Sequence, residues 1–207
     1  MPVHLVQHPT TQEAVLSLRD KRTPPSQFRR LTHRVSLVLA IEATRRLPTA
    51  TRVVDTPLEP AQGEVIDRDI VVVPVLRAGL GMVEAVLEIL PNARVGHIGL
   101  QRDEHTAIAS QYYSKLPAAL GTSTALIVDP MLATGGSAVA AIASLHGAGV
   151  TDIRLLCIVA APEGIAAVEG AAPDVEIYTP AIDRALNAQK FILPGLGDFG
   201  DRLYGTV

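Results

Sequence analysis

Twice in this 207-residue chain a continuous apolar run breaks on a short glycine-bearing loop and resumes as a helix. Ile70-Val71-Val72-Val73-Pro74-Val75-Leu76 gives way to Arg77-Ala78-Gly79-Leu80-Gly81 and a helix over 82–89. Ala125-Leu126-Ile127-Val128 gives way to the loop 129–137 and a helix over 138–146, with Gly147 and Gly149 ending it. An apolar strand without polar alternation must be covered on both faces, as in sheets flanked by helices. The rest of the chain keeps the alternation, with strands expected over 95–100, 153–160 and 175–179 and a helix over 164–168. Ahead of them come an edge strand or arm within 1–10, a helix over 11–19 capped by Thr10 or Thr11, a helix from Ser26 or Gln27 to Leu47, and a hairpin of 52–55 with 63–66. The fold class that follows is α/β, a doubly wound parallel sheet whose ligands collect at the carboxyl ends of the strands.

Composition narrows the partners. Hydrophobic residues make up 48% but aromatics only 3%, with no Trp, so the core is built of Val, Ile, Leu and Ala. The length suits one domain over 1–207. A net charge of -3 argues against a nucleic-acid partner. No window approaches the roughly 18 apolar residues of a membrane span, and no basic leader precedes an apolar segment, so a cytoplasmic protein without a membrane partner is expected. Cys157 is the sole cysteine and sits inside an apolar run, which excludes an internal disulfide and predicts a buried, inert thiol.

Chemistry is expected in the loop Asp129, Pro130, Met131, Leu132, Ala133, Thr134, Gly135, Gly136 and Ser137. A helix start presents N–H groups and a partial positive charge, so an anion can be held there. Thr134 and Ser137 add hydroxyl donors for phosphate, and Asp129 can accept from the hydroxyls of an attached sugar. A side chain at Gly135 is expected to obstruct the backbone's approach to phosphate and to leave the fold largely intact. An ordinary strand-to-helix turn with a Thr or Ser cap has the same local pattern. Around Gly79-Leu80-Gly81 a dinucleotide fingerprint fails, because its third glycine is replaced by Glu84. Arg77 reads instead as an anion ligand. The polar segment 101–117 has the length of a mobile lid, with an exposed hairpin of no role as the alternative. The tail 181–207, carrying Asp183, Asn187, Asp198 and Asp201, reads as a hood folded back over a pocket, against the alternative of a surface-wrapped terminus.

Four blocks taken together resemble the uracil phosphoribosyltransferases of the type I phosphoribosyltransferase family: Val75 to Met82, Arg102-Asp103-Glu104, Val128 to Ser137, and Pro194 to Asp201. The resemblance covers nearly the whole chain. It implies a type I phosphoribosyltransferase-like sheet with a small hood formed by the C-terminal segment and N-terminal elements. The implied reaction joins uracil to 5-phosphoribosyl 1-diphosphate, giving UMP and diphosphate, with Mg²⁺ carried in by the donor and no metal ligands of the protein's own. Arg77 and Arg102 are then expected on the diphosphate, Asp129 on the ribose, 130–137 around the 5-phosphate, and Asp198 on the donor or its metal water. Arg102, Asp129 and Asp198 are the catalytic candidates, while Ile192, Gly197, Asp198 and Phe199 bind uracil, largely through main chain. Relatives in this fold also imply a non-proline cis peptide in the Leu76-Arg77-Ala78 turn, a homodimer or homotetramer, and in some members a GTP effector. Phe191 departs from the Tyr that many members carry, which puts a hydroxyl contact there in doubt. Two alternatives remain at this stage: another base, such as hypoxanthine or orotate, or an RNA-binding pyrimidine-nucleotide sensor on the same fold.

Overall fold

The computed structural model describes residues 2–102 and 109–206. Its elements run β1 (Val3–Leu5), α1 (Pro9–Arg19), α2 (Pro25–Thr44), β2 (Thr49–Asp55), β3 (Pro60–Ile66), β4 (Ile70–Leu76), α3 (Leu80–Ile89), β5 (Arg94–Val95), β6 (His97–Arg102) and β7 (Ala109–Lys115). They continue with β8 (Thr124–Val128), β9 (Met131–Leu132), α4 (Gly136–Gly147), β10 (Asp152–Leu156), β11 (Val159–Ala160), α5 (Pro162–Ala171), β12 (Glu176–Thr179), β13 (Ala185–Leu186), β14 (Ile192–Leu193) and α6 (Phe199–Tyr204).

The main sheet has the order β1-β12-β10-β8-β4-β6-β7, with β5 also beside β4. Among the described residues every neighbouring pair in it is parallel except β6 with β7, so the expected parallel sheet carries one antiparallel edge. From β4 the chain proceeds toward β6, and from β8 toward β10, on opposite sides. The order therefore reverses between β4 and β8, where a crevice opens at the strands' carboxyl ends.

Alternate residues of the central strands face opposite layers, because side chains in a strand alternate with period two. Val72, Leu126, Val128 and Leu156 join Phe28, Leu39, Met82 and Leu203 from α2, α3 and α6. Val71, Val73, Ile127 and Leu155 join Ile142, Leu145 and Val168 from α4 and α5. Both layers are apolar, which is why these strands show no polar alternation in the sequence.

Several boundaries differ from the sequence reading, three of them for a clear local reason. Helix α1 starts at Pro9 with His8 as its cap, whose ring nitrogen accepts from the Thr10 N–H, because Pro fits the first helical position and needs no N–H partner. Helix α2 begins at Pro25 for the same reason and ends at Thr44. The run 153–160 is two strands, since Ile158 and Val159 turn their N–H groups to Pro130 O and the chain changes partner from β8 to β9. The lid expectation falls partly on 103–108, outside the described residues; its described flanks are the paired strands β6 and β7. No helix among the described residues is long and apolar enough to cross a membrane.

Candidate active site

The floor of the site is the carboxyl end of β4 and β8. The Leu76–Arg77 peptide is cis, as the resemblance implied. A Cβ on Gly79 would stand 2.3 Å from Val128 O, so the glycine is demanded by the approach of the two central strands. Arg77 is exposed, with a guanidinium nitrogen 3.7 Å from Asp201 Oδ1. The Tyr204 hydroxyl donates to Arg77 O at 3.2 Å.

The loop after β8 is anchored from beneath. Asp129 donates its N–H to Leu156 O at 3.2 Å, and Pro130 O accepts from Ile158 and Val159. Strand β9, inside this loop, pairs in parallel with β11. Gly135 caps α4 with φ of 82°, and no side chain caps the helix start. The first helical bond runs from Val139 N–H to Gly135 O, leaving the earlier N–H groups of the turn without intrahelical acceptors. One expectation is corrected here. A Cβ on Gly135 would meet Ala167 Cβ at 2.7 Å and Gly164 O at 2.9 Å, so this glycine serves packing against α5 and a substitution there damages the fold itself.

The hood is a short hairpin, β13 with β14, followed by α6. Asn187 Oδ1 accepts from Phe191 N–H and Glu163 Oε1 from Leu186 N–H, each at 2.9 Å. The Leu186 N–H holds the Glu163 carboxyl below its usual range. Asp198 caps α6, its Oδ1 accepting from Asp201 N–H at 2.9 Å. Ile192 and Phe199 are buried, the latter edge-on to Phe28 with ring centroids 5.0 Å apart. Their side chains belong to the core.

Sheet and hood enclose a cleft of about 250 Å³. Arg77, Asp129, Met131, Ala133 and Ser137 line it from the sheet side; Ile192, Gly197, Asp198 and Phe199 line it from the hood. The structure thus brings together nine of the residues singled out from the sequence. Pro130, Leu132, Thr134, Gly135 and Gly136 are not on its wall, and Leu132 is buried in the core. Arg102 ends β6, and its side chain lies outside the described part of the structure. Leu100, Lys190 and Phe191 also line the cleft. The sequence reading gave Lys190 no place there. Its signal was the polar turn between two short apolar pairs, where Lys190 takes a positive φ of 66° and donates its N–H to Asn187 O.

A wider hollow of about 670 Å³ lies beside β1 and the end of α2, far from any crevice of the sheet order. Its arginines are already matched, Arg45 by Glu42 and Arg46 by Glu176, which leaves little to recruit an anion. Cys157 is fully buried, and burial pushes its thiol up to about 12, away from the reactive thiolate.

Residues 5–206 match the family described as uracil phosphoribosyltransferase. The chain is 52% identical over 205 residues to a uracil phosphoribosyltransferase of Dictyoglomus thermophilum, covering 99% of each. It is 48% identical over 205 residues to one from Geobacillus kaustophilus, covering 99% of this chain and 98% of that one. A solved structure of a protein from Aquifex aeolicus superposes with a TM-score of 0.94 at 34% identity, over 98% of this chain and 97% of the other. A hypoxanthine phosphoribosyltransferase from Staphylococcus aureus shares the fold, with a TM-score of 0.53 at 12% identity over 75% of this chain and 74% of that one.

Proposed function

The chain belongs to the uracil phosphoribosyltransferase family, and from that premise we propose that it joins uracil to 5-phosphoribosyl 1-diphosphate, giving UMP and diphosphate. The observation that carries this reading is the single cleft in which an arginine after β4, a carboxylate after β8 and the start of α4 face the main chain of the hood.

The bond from ribose C1 to the diphosphate oxygen breaks with its electron pair leaving on oxygen. The uracil N1 pair forms the new bond to C1, and the N1 proton departs. Positive charge grows on the sugar and negative charge on the leaving group, so the protein's work is to hold both partners and neutralise the diphosphate. Arg77 and Arg102 take the diphosphate. Asp129 takes the ribose hydroxyls, and the start of α4 with Ser137 takes the 5-phosphate, where the helix N-terminus favours an anion. Asp198, on the hood side of the cleft, is the carboxylate that would order water around the donor or accept the proton. Mg²⁺ would arrive on the donor's diphosphate and supply neutralisation of the leaving group, with Asp129 and Asp198 as the carboxylates on the cleft wall.

Uracil is read by main-chain groups near Ile192, Gly197 and Phe199. The buried side chains of Ile192 and Phe199 support this, since they face the core. Lys190 on the cleft wall favours one second reading, a base that bears a carboxylate, such as orotate. Self-association into a homodimer or larger assembly is part of the proposal. The hairpin β2 and β3 supports it, because its strands pack chiefly on each other and leave Val53, Val54 and Leu58 exposed. The test is product formation from labelled donor with uracil, cytosine, hypoxanthine and orotate. Uracil alone is expected to yield nucleotide; turnover with orotate instead transfers the assignment to the second reading.

A further inference from the structure

Residues 194–197 meet the cleft at Gly197 and, with Arg19, Lys21 and Arg202, line a second hollow of about 310 Å³ behind it. Gly197 borders both cavities. Leu196 is seated in the core, but the main chain of Gly195 beside it is held by contacts of another kind. The Gly195 N–H donates to Asp183 Oδ2 and its carbonyl accepts from Arg19 Nη1, both at 2.8 Å. Arg19 grips the same carboxylate in a two-pronged pair, at 2.8 Å to Oδ2 and 2.7 Å to Oδ1. Both polar groups of one glycine are thus held by one ion pair, whose carboxylate is only 7% exposed. Gly195 itself is fixed in register, since a Cβ there would stand 2.2 Å from Ile192 O.

The main chain of Asp183 is also tied to the opposite wall of the cleft. Asp183 donates its N–H to Ala160 O at 2.8 Å, and Ala160 pairs with Leu132 inside the loop after β8. One continuous path therefore joins the phosphate loop, β11, Asp183 and Gly195, through main chain as far as Asp183 and through its carboxylate beyond. Arg202 completes the grip from the same helix end, donating to Leu196 O at 2.7 Å, to Asp20 O at 2.6 Å and to Leu18 O.

We propose that Arg19 and Asp183 are positioning residues for base recognition, an ion pair outside the cleft that sets the height of the 194–197 wall above the donor. The proposal rests on reading the cleft as the site of phosphoribosyl transfer to uracil. Main-chain groups discriminate only if the backbone carrying them cannot shift, so loosening the pair acts on the base and not on the donor. The tie to the donor side is the Asp183 N–H on Ala160 O, a main-chain bond that changes to the Arg19 or Asp183 side chains leave in place.

The test is steady-state kinetics of the full chain, with KM for uracil and for donor measured separately. Wild type is compared with Asp183→Ala, Asp183→Asn and Arg19→Lys, each checked for native circular dichroism. Asp183→Ala is expected to raise the uracil KM about tenfold or more, to hold the donor KM within about twofold, and to narrow the uracil-over-cytosine preference by about tenfold. Asp183→Asn retains an acceptor for the Gly195 N–H and is expected to fall between that variant and wild type. If Asp183→Ala does not fold, Arg19→Lys carries the test, with the same split in weaker form. Unchanged uracil KM in the folded variants overturns the proposal, as does a parallel rise in both KM values. A wild-type chain that makes no UMP from uracil overturns the underlying reading instead, and so keeps the two failures apart.

Discussion

The two walls of the cleft are held in place by opposite means. The loop after β8, proposed to take the 5-phosphate, lies on buried strands and fits by backbone proximity: Gly79 against Val128, Gly135 against Gly164 and Ala167, β9 against β11. The hood seats Ile192, Leu196 and Phe199 in the core, but its main chain hangs from side chains, with Glu163 on Leu186, Asn187 on Phe191, Asp183 on Gly195 and Arg202 on Leu196. A wall built by close packing resists change of any kind and suits a ligand part that is always the same, the ribose phosphate. A wall hung from polar contacts can be adjusted one bond at a time, which suits the part that must be distinguished, the base.

The largest effect should come from attacking the packed wall. Gly135→Val adds a β-branched side chain at positive φ and overlaps Ala167, so a loss of about 2 to 5 kcal/mol of stability is expected. That is a large share of the whole for a domain of this kind. Thermal unfolding measures it; an unchanged midpoint together with lost donor binding would show that the glycine serves ligand approach after all.

Arg102→Ala asks whether a third wall, the end of β6, grips the leaving group. A fall in kcat/KM of roughly 30- to 1,000-fold is expected, the range for losing one preorganised charged donor. Near wild-type turnover would remove Arg102 from the diphosphate.

Gly197→Ala is the hood's counterpart to Gly135→Val. Its φ is 82°, but the nearest atom to an added Cβ is the Arg202 side chain at 3.6 Å. The cost is therefore backbone strain of about 1 to 2 kcal/mol, with the protein still folded and the uracil KM, rather than the donor KM, raised. Equal damage to both constants would erase the contrast between the walls.

Asp201→Asn should do least. It removes the exposed 3.7 Å pairing with Arg77 and so releases that arginine toward the donor. A fall in donor KM of no more than about threefold is expected, since exposed ion pairs contribute little.

The packed wall was far more legible in the sequence than the hung one. Unbroken apolar runs such as 70–76 and 125–128 announce strands covered on both faces, and the glycines after them announce close approach. The same lack of alternation hid the break at 157–158, because a strand buried in one sheet and a strand buried in the next look alike. Asp129, Ser137 and Arg77 were found because strand ends and helix starts are local features. The reason for Gly135 was not: its partners, Gly164 and Ala167, lie on the next helix, and nothing near Gly135 names them. The grip of Arg19 on Asp183 joins residues 164 positions apart, a distance at which a single sequence carries no signal. Ile192 and Phe199 were expected to meet the base through main chain only by resemblance to the family, and what the sequence did not show is that their side chains are buried.

The account turns on main-chain reading of the base, and one comparison tests it most directly: kcat/KM for uracil against cytosine, on wild type and on Ile192→Ala. Uracil offers a C4 carbonyl and an N3–H where cytosine offers an amino group and a bare nitrogen. A fixed backbone that suits the first meets the second with donor facing donor and acceptor facing acceptor. Each unpaired buried group costs about 1 to 3 kcal/mol, so a preference of roughly 10³-fold or more is expected in wild type. It should persist in Ile192→Ala, whose lost side chain belongs to the core. Comparable use of cytosine by wild type, or a preference that collapses only in Ile192→Ala, would contradict the account.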